Sequence, residues 1–251
     1  MGVRQYLLGI DVGTTGTKAL LFDTEGTLHG RSYCGYQTRT PQVGRSEQNA
    51  EDWWNAVCTT VRALCADPEV GENVIAMSLS TQGGTVVPVD ENASALRPAI
   101  VWNDLRCGEE AAAFVREQKD AARMYEKTGW ALSDGLPAMQ LRWLGAHEPE
   151  IFRRAASFAT VPDYLSLKLT GIAATDPSNA GIDQLYDIRR GCCDAELLRF
   201  AGVTEAQLPK LVHSGGIIGR LTPEAAAALG LSERCVLAAG AQDQYAAALG
   251  V

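Results

Sequence analysis

The sequence predicts an α/β fold, a mixed sheet that opens on three antiparallel strands and is flanked by helices. Three observations carry this. Residues 5–12, 17–23 and 27–34 are short apolar runs without helical periodicity, separated by a Gly/Thr loop and by the turn signal Thr24-Glu25-Gly26. Segments with apolar residues three and four apart follow, most of them between residues 50 and 170. A buried-strand pattern then returns at 235–241, just before a small-residue helix.

The first loop is the most informative stretch. Leu7-Leu8-Gly9-Ile10-Asp11 ends an apolar run in an acid, Val12-Gly13-Thr14-Thr15-Gly16-Thr17-Lys18 turns the chain, and a second apolar run reaches Asp23. Gly13 and Gly16 are expected to adopt backbone angles that residues with a Cβ avoid and to let main-chain N–H groups converge. Thr14, Thr15 and Thr17 add hydroxyls, Lys18 a positive charge, and Asp11 a carboxylate that could face a metal. The set suits a polyphosphate with magnesium. It also suits an ordinary Gly/Thr hairpin.

The bulk numbers narrow the class. A chain of 251 residues with 46% hydrophobic content can bury a real core. Its net charge of −8 argues against a nucleic-acid partner, which needs a basic face. The apolar runs fall short of a membrane span, and the chain goes straight into a strand, so a cytoplasmic protein is expected. Seven scattered cysteines without a Cys-x-x-Cys pair, and three isolated histidines, point to reduced thiols and against a structural metal centre.

In chain order, 44–48 reads as a polar surface loop. Asn49 then caps a helix whose buried stripe is Trp53, Trp54, Val57, Val61 and Leu64. Residues 74–80 form a strand that ends in Thr81-Gln82-Gly83-Gly84-Thr85. Residues 86–89 continue as a second strand, and 97–104 as a short one ending at Trp102-Asn103-Asp104. Strand ends that run into polar, Gly-rich turns are where ligands sit in α/β proteins.

Helices are expected over 107–118, 120–127, 136–145, 148–154 and 162–169, with Gly129 and Gly171 as stops and Pro149 and Pro162 in first turns. The pattern weakens after Thr175-Asp176-Pro177-Ser178-Asn179, and 183–190 reads as a short strand or irregular segment. Small helices follow near 194–200 and 204–208. Thr222-Pro223 starts another helix, and Asp243 stands where the 235–241 strand meets its helix. An acid there complements the helix dipole; in a Gly/Ala-lined turn it can also serve as a general base for an alcohol.

Taken in order, these segments resemble the FGGY carbohydrate kinases across nearly the whole chain. Gly9-Ile10-Asp11-Val12-Gly13-Thr14-Thr15-Gly16-Thr17-Lys18 resembles their phosphate-binding hairpin. Trp53-Trp54 follows Ser46-Glu47-Gln48 as in that family. Pro98-Ala99-Ile100-Val101-Trp102-Asn103-Asp104-Leu105-Arg106-Cys107 is similar to a segment of the xylulokinase group. His147-Glu148-Pro149-Glu150-Ile151-Phe152 and Pro162-Asp163-Tyr164-Leu165 also match, and Ala239-Gly240-Ala241-Gln242-Asp243-Gln244 resembles the segment with the catalytic aspartate.

The resemblance implies the ribonuclease H-like, actin-like ATPase fold. It also implies ATP- and Mg2+-dependent phosphorylation of a sugar or polyol hydroxyl. Asp243 would take the proton of the attacking hydroxyl, and Asp11 would hold magnesium. Gly13, Thr14, Thr15 and Lys18 would meet the nucleotide's phosphates. Gln82, Gly83, Trp102, Asn103, Asp104, Asp243 and Gln244 would face the sugar.

The departures concern the acceptor. Gly83-Gly84-Thr85 stand where glycerol kinases have an arginine–glutamate pair and xylulokinases Met-His-Gly. Gly135 stands where glycerol kinases place a tyrosine. The two glycines are expected to leave more room, which disfavours glycerol and favours a xylulose-like pentulose or larger ketose. The family also carries a C-terminal lobe after the catalytic aspartate, whereas this chain ends at Val251. It reads as an N-terminal lobe over 1–251, a piece of a longer protein in preference to a natural truncation. Alone it is expected to be inactive, with the C-terminal lobe as its partner and a homodimer as a further option. Two other readings stay open: an actin-like ATPase without a sugar acceptor, and a non-catalytic sugar-sensing module.

Overall fold

The computed structural model describes residues 4–118 and 122–251, so the first two residues of the helix expected over 120–127 lie outside the described residues. The expected meander is present: β1 (Tyr6–Val12), β2 (Gly16–Asp23) and β3 (Leu28–Gly35) pair antiparallel in sequence order. Val74–Thr81 adds to the other side of β1 in parallel, and Val236–Gln242 adds to it in parallel again. Ile217–Arg220 closes that side antiparallel, giving a mixed six-stranded sheet.

The period-two alternation of these strands divides the sheet into two unlike faces. Leu8, Ile10 and Val12 of β1 are buried against α1 (Ala50–Leu64) and the helices Val161–Thr170 and Pro223–Leu229, with Trp53, Val57, Val61, Tyr164 and Leu229 in the same cluster. Asn49 caps α1 by accepting the Glu51 N–H at 3.3 Å. Trp53 meets Tyr164 edge to face at 5.8 Å, so this tryptophan is core. The opposite face carries Gly9, Asp11, Lys18, Ser78 and Ser80 beside Leu7, Leu20 and Ile75, and is open.

Helices between Gly108 and Arg154 surround a second hydrophobic cluster that includes Phe114, Met139, Leu144, Phe158 and Phe200. Gly129 and Gly171 end their helices with positive φ.

Three expectations are corrected. Residues 44–48 are not a surface loop: Ser46 and Gln48 are buried, and Glu47–Gln48 pairs antiparallel with Ala99–Ile100. The run expected over 97–104 shrinks to that two-residue strand, because the chain beyond Ile100 turns to place Asp104. No helix is expected around 175–182, yet one stands there, Pro177–Ile182, with Asp176 accepting the N–H groups of Ser178 and Asn179.

Candidate active site

The β1–β2 hairpin sets Asp11 opposite Lys18 and Val12 opposite Thr17. Gly13 N–H closes the turn onto the Gly16 carbonyl at 3.0 Å, leaving Thr14 and Thr15 at the tip. Neither glycine has a positive φ, contrary to the conformational role expected of them. Gly16 is required for space: a Cβ there would lie 2.5 Å from the Tyr33 hydroxyl and 2.7 Å from the Cys34 carbonyl. Thr17 is fully buried on the core face, so its hydroxyl does not belong to the open side. Asp11 and Lys18 do. They line a cleft of about 490 Å3 with Ser78, Ser80, Gly240 and Ala246. Ser80 donates to Asp11 Oδ1 at 2.8 Å and steadies it.

The hairpin tip is tied to the neighbouring strand ends through Thr14. Its hydroxyl donates to Gln82 Oε1 at 3.0 Å and accepts from Trp102 Nε1 at 3.1 Å. Its carbonyl accepts from Gln48 Nε2 at 2.7 Å. Gln48 Oε1 in turn accepts from Gln82 Nε2 at 2.8 Å and from Trp53 Nε1 at 2.9 Å. Gln48 was missed in the sequence because its surroundings read as surface. Tyr36, also missed, donates to the Gly13 carbonyl at 2.5 Å.

Asp243 is the first residue of the helix Asp243–Leu249. Gln242 caps that helix by accepting the Gln244 N–H at 3.1 Å, and its own N–H donates to Ser178 Oγ at 2.9 Å. The Gln242 amide also donates to Asp243 Oδ1. The strand reaches this point through an irregularity in its pairing with Val74–Thr81 between Ala238 and Ala241. Gly240 sits there, and a Cβ on it would be 1.8 Å from the Leu79 carbonyl oxygen. Burial, reinforced by the negative charge of Asp11, pushes the Asp243 carboxyl above its ordinary range. That suits a proton acceptor.

The acceptor-side residues divide. Trp102 is 47% exposed, Asn103 and Gln244 are exposed, and Asp243 is half-buried; all four can meet a ligand. Gln82 is 2% exposed, with both its oxygen and its nitrogen bonded inside the protein, so it positions Thr14 and does not present an amide to a sugar. Asp104 is likewise corrected: it is wholly buried, accepting from Ser46 N at 2.5 Å and from Arg106 Nε at 2.8 Å and NH2 at 2.7 Å. Burial works against its ionisation, but the bonds from Arg106 and Ser46 outweigh that and hold its pKa below the ordinary value. Arg106 also donates to Glu47 at 2.8 Å, so the carboxylate holds a buried charge network together.

The extra room expected at Gly83 and Gly84 is absent. A Cβ on Gly83 would meet Ile182 at 2.9 Å and Gln242 at 3.1 Å; on Gly84, which has φ of +72°, it would meet Leu136 at 2.7 Å. Gly135 lies against the Trp102 carbonyl, 2.0 Å from where its Cβ would be. Gln140, unforeseen, is fully buried and donates from Nε2 to the carbonyls of Gly84 at 3.0 Å and Gly135 at 2.7 Å.

The donor set fits a magnesium–nucleotide. Among the described residues no cluster of three His, Cys, Asp or Glu side chains forms a protein cage. Magnesium on a nucleotide keeps waters and phosphate oxygens and takes only one or two carboxylates. Asp11 offers one on the wall of the open cleft, with Lys18 on the same wall.

A mixed sheet led by antiparallel strands, with an acid at each of two strand ends beside one cleft, defines the actin-like ATPase class as sugar kinases build it. The match to the xylulose kinase structure from Rhodospirillum rubrum has a TM-score of 0.91 at 27% identity, covering 98% of this chain and 50% of that one. Residues 6–250 match the model of the FGGY family of carbohydrate kinases, N-terminal domain, and the chain belongs to that family. It is 32% identical over 250 residues to a gluconokinase of Bacillus subtilis (strain 168), covering 99% of this chain and 48% of the relative. It is 35% identical over 258 residues to a glycerol kinase of Dechloromonas aromatica (strain RCB), covering 98% and 49%. The chain thus spans about half the length of these curated relatives.

Proposed function

We propose that the protein carrying this chain transfers the γ-phosphoryl group of ATP to a hydroxyl of a sugar or polyol. The observation that carries the reading is the placement of Asp243, half-buried at a helix start, with Asp11 and Lys18 on the wall of the open cleft. Burial and the charge of Asp11 raise the Asp243 carboxyl pKa in keeping with that. Asp243 accepts the proton of the attacking hydroxyl as its oxygen bonds to phosphorus. Thr14, Thr15 and Lys18 orient the phosphate tail, with the Gly13 backbone shaping the turn. Trp102 and Asn103 form the acceptor's exposed wall, and Gln244 borders it. Gln82 and Asp104 position those groups from behind. Magnesium, held through Asp11, would supply charge neutralisation on the phosphate oxygens.

The acceptor we favour is a pentulose or longer polyhydroxy chain over glycerol, because Gly83, Gly84 and Gly135 offer no side-chain donor to grip a three-carbon substrate. The reading gives this chain one wall of the nucleotide site and assigns the other to a C-terminal lobe, so residues 1–251 alone are expected to turn over little or no ATP.

A coupled ADP assay of the full-length protein against pentuloses, hexoses, gluconate, polyols and glycerol tests this. Acceptor-dependent ADP formation is expected, with kcat lowered about 10^2- to 10^4-fold in Asp243→Asn. ATP turnover indifferent to every acceptor would favour an ATPase without a sugar substrate. Unchanged phosphorylation by Asp243→Asn would remove the base assignment. Near-normal turnover by residues 1–251 would overturn the two-lobe reading.

A further inference from the structure

A second cavity, of about 390 Å3, shares no lining residue with the cleft beside Asp11. Its walls are mostly apolar, with Val86, Leu141, Phe158 and Leu185 among them. Three buried polar residues interrupt that lining, and the hydroxyl of one, Thr160, already donates to Asp163. Asp183, at the end of the Pro177–Ile182 helix, is 9% exposed, and Thr175 is 4% exposed. Asp183 Oδ1 and Thr175 Oγ1 have no hydrogen-bond partner. Leaving such atoms buried and unmatched costs about 1–3 kcal/mol each, and more for a charged group.

The charges around Asp183 are of one sign. Asp163 and Asp176 act on it, and with burial as the leading cause they push its carboxyl well above the ordinary value. Those two acids are themselves bonded: Asp163 accepts from Thr160, and Asp176 from Ser178 and Asn179. Asp183 has no such donor, and no cation is paired with it among the described residues. At the exposed rim Lys210 and Glu205 oppose one another in sign, so the rim leaves the acidic bias of the interior in place.

The missing complement is therefore a compact cationic donor on an apolar body. An ammonium carries three donors for the two vacant acceptors, whereas an alcohol carries one and a carboxylate would be repelled. The volume lies at the small end of ligand pockets, which limits the body to a few carbons or one ring. We propose that this cavity is a binding site for a small, largely apolar primary amine, with its ammonium on Asp183 and Thr175 and its hydrocarbon part against Leu141, Phe158 and Leu185. The site needs neither nucleotide nor acceptor.

Titration calorimetry on the full-length protein, with cyclohexylmethylamine, cyclohexylmethanol and cyclohexanecarboxylate as probes of near-equal shape, tests the proposal. The amine is expected to bind at least about tenfold tighter than the alcohol, and the carboxylate not at all. Asp183→Asn should weaken the amine about tenfold or more and leave the alcohol unchanged. Thr175→Val, which retains the acid, should weaken the amine about two- to tenfold and provides a second check should the first variant fold poorly. No heat with millimolar amine, equal affinity for amine and alcohol, or amine affinity unchanged in both variants would overturn it.

Discussion

Trp102 Nε1 donates to Thr14 Oγ1 across 3.1 Å, joining residues 88 positions apart in the chain. The wall assigned to the acceptor and the hairpin tip assigned to the phosphates are thereby one mechanical unit. Trp102→Phe keeps an aromatic wall and deletes the donor. Acceptor KM and ATP KM are both expected to rise about two- to tenfold, in line with one lost hydrogen bond. Steady-state kinetics with each substrate varied in turn checks this; a change confined to the acceptor would show that the bond carries no coupling.

Gln140 is the next lever. Gln140→Leu leaves the buried carbonyls of Gly84 and Gly135 without their donor. A loss of about 2–5 kcal/mol is expected from the two orphaned acceptors, seen as a Tm drop of about 2–4 °C per kcal/mol. Because those carbonyls hold the backbone behind Trp102, acceptor KM should rise more than kcat falls. Gln140→Glu, which keeps the shape and loses the amide donors, should shift KM in the same direction.

The buried Asp104–Arg106 pair gives a stability prediction with a pH sign. Asp104→Ala strands Arg106, whose side chain is 3% exposed, with Glu47 as its remaining close partner, at a cost of about 3–5 kcal/mol. The folded pKa of Asp104 lies below the ordinary value of 3.8. Its contribution is therefore fully present above that value and lost as pH falls through the folded one. Thermal melts should show the deficit of Asp104→Asn shrinking as pH drops below the ordinary value.

Asp183 carries the opposite sign. Its folded pKa is raised well above 3.8, so its favourable contribution is complete below 3.8 and declines as pH rises toward the folded value. Asp183→Asn is accordingly expected to melt higher than wild type at pH 7.5, with the gain closing as pH approaches 4. A gain constant across that range would mean that burial of the acid is not its source.

Much of this was readable from the chain because it rests on local chemistry. The β1–β2 alternation, the Asn49 cap and Asp243 at a strand-to-helix junction each follow from a few adjacent residues. The failures have non-local causes. Asp104 and Gln82 are polar residues at strand ends, as ligands' neighbours are, yet Ser46, Gln48 and Thr14 reach them from distant positions, and Arg106, two residues on, folds back onto Asp104. Gly83 and Gly84 suggested space, but what fills it is Ile182 and Leu136, far along the sequence. Two helices were missed despite a local signal: Asp67-Pro68 and Asp176-Pro177 are each a cap followed by a first-turn proline, opening Pro68–Glu72 and Pro177–Ile182.

The crowding at Gly83 and Gly84 also constrains substitution there. A side chain at Gly83 needs Ile182 and Gln242 to give way, and one at Gly84 needs Leu136 to move and must hold a φ of +72°, which residues with a Cβ disfavour. Trimming Ile182 or Leu136 eases this, although each trim alone opens a void. Substrate choice here is expected to behave as a ratchet: directed evolution toward another acceptor should succeed from an Ile182→Ala, Leu136→Ala background and stall from the present one.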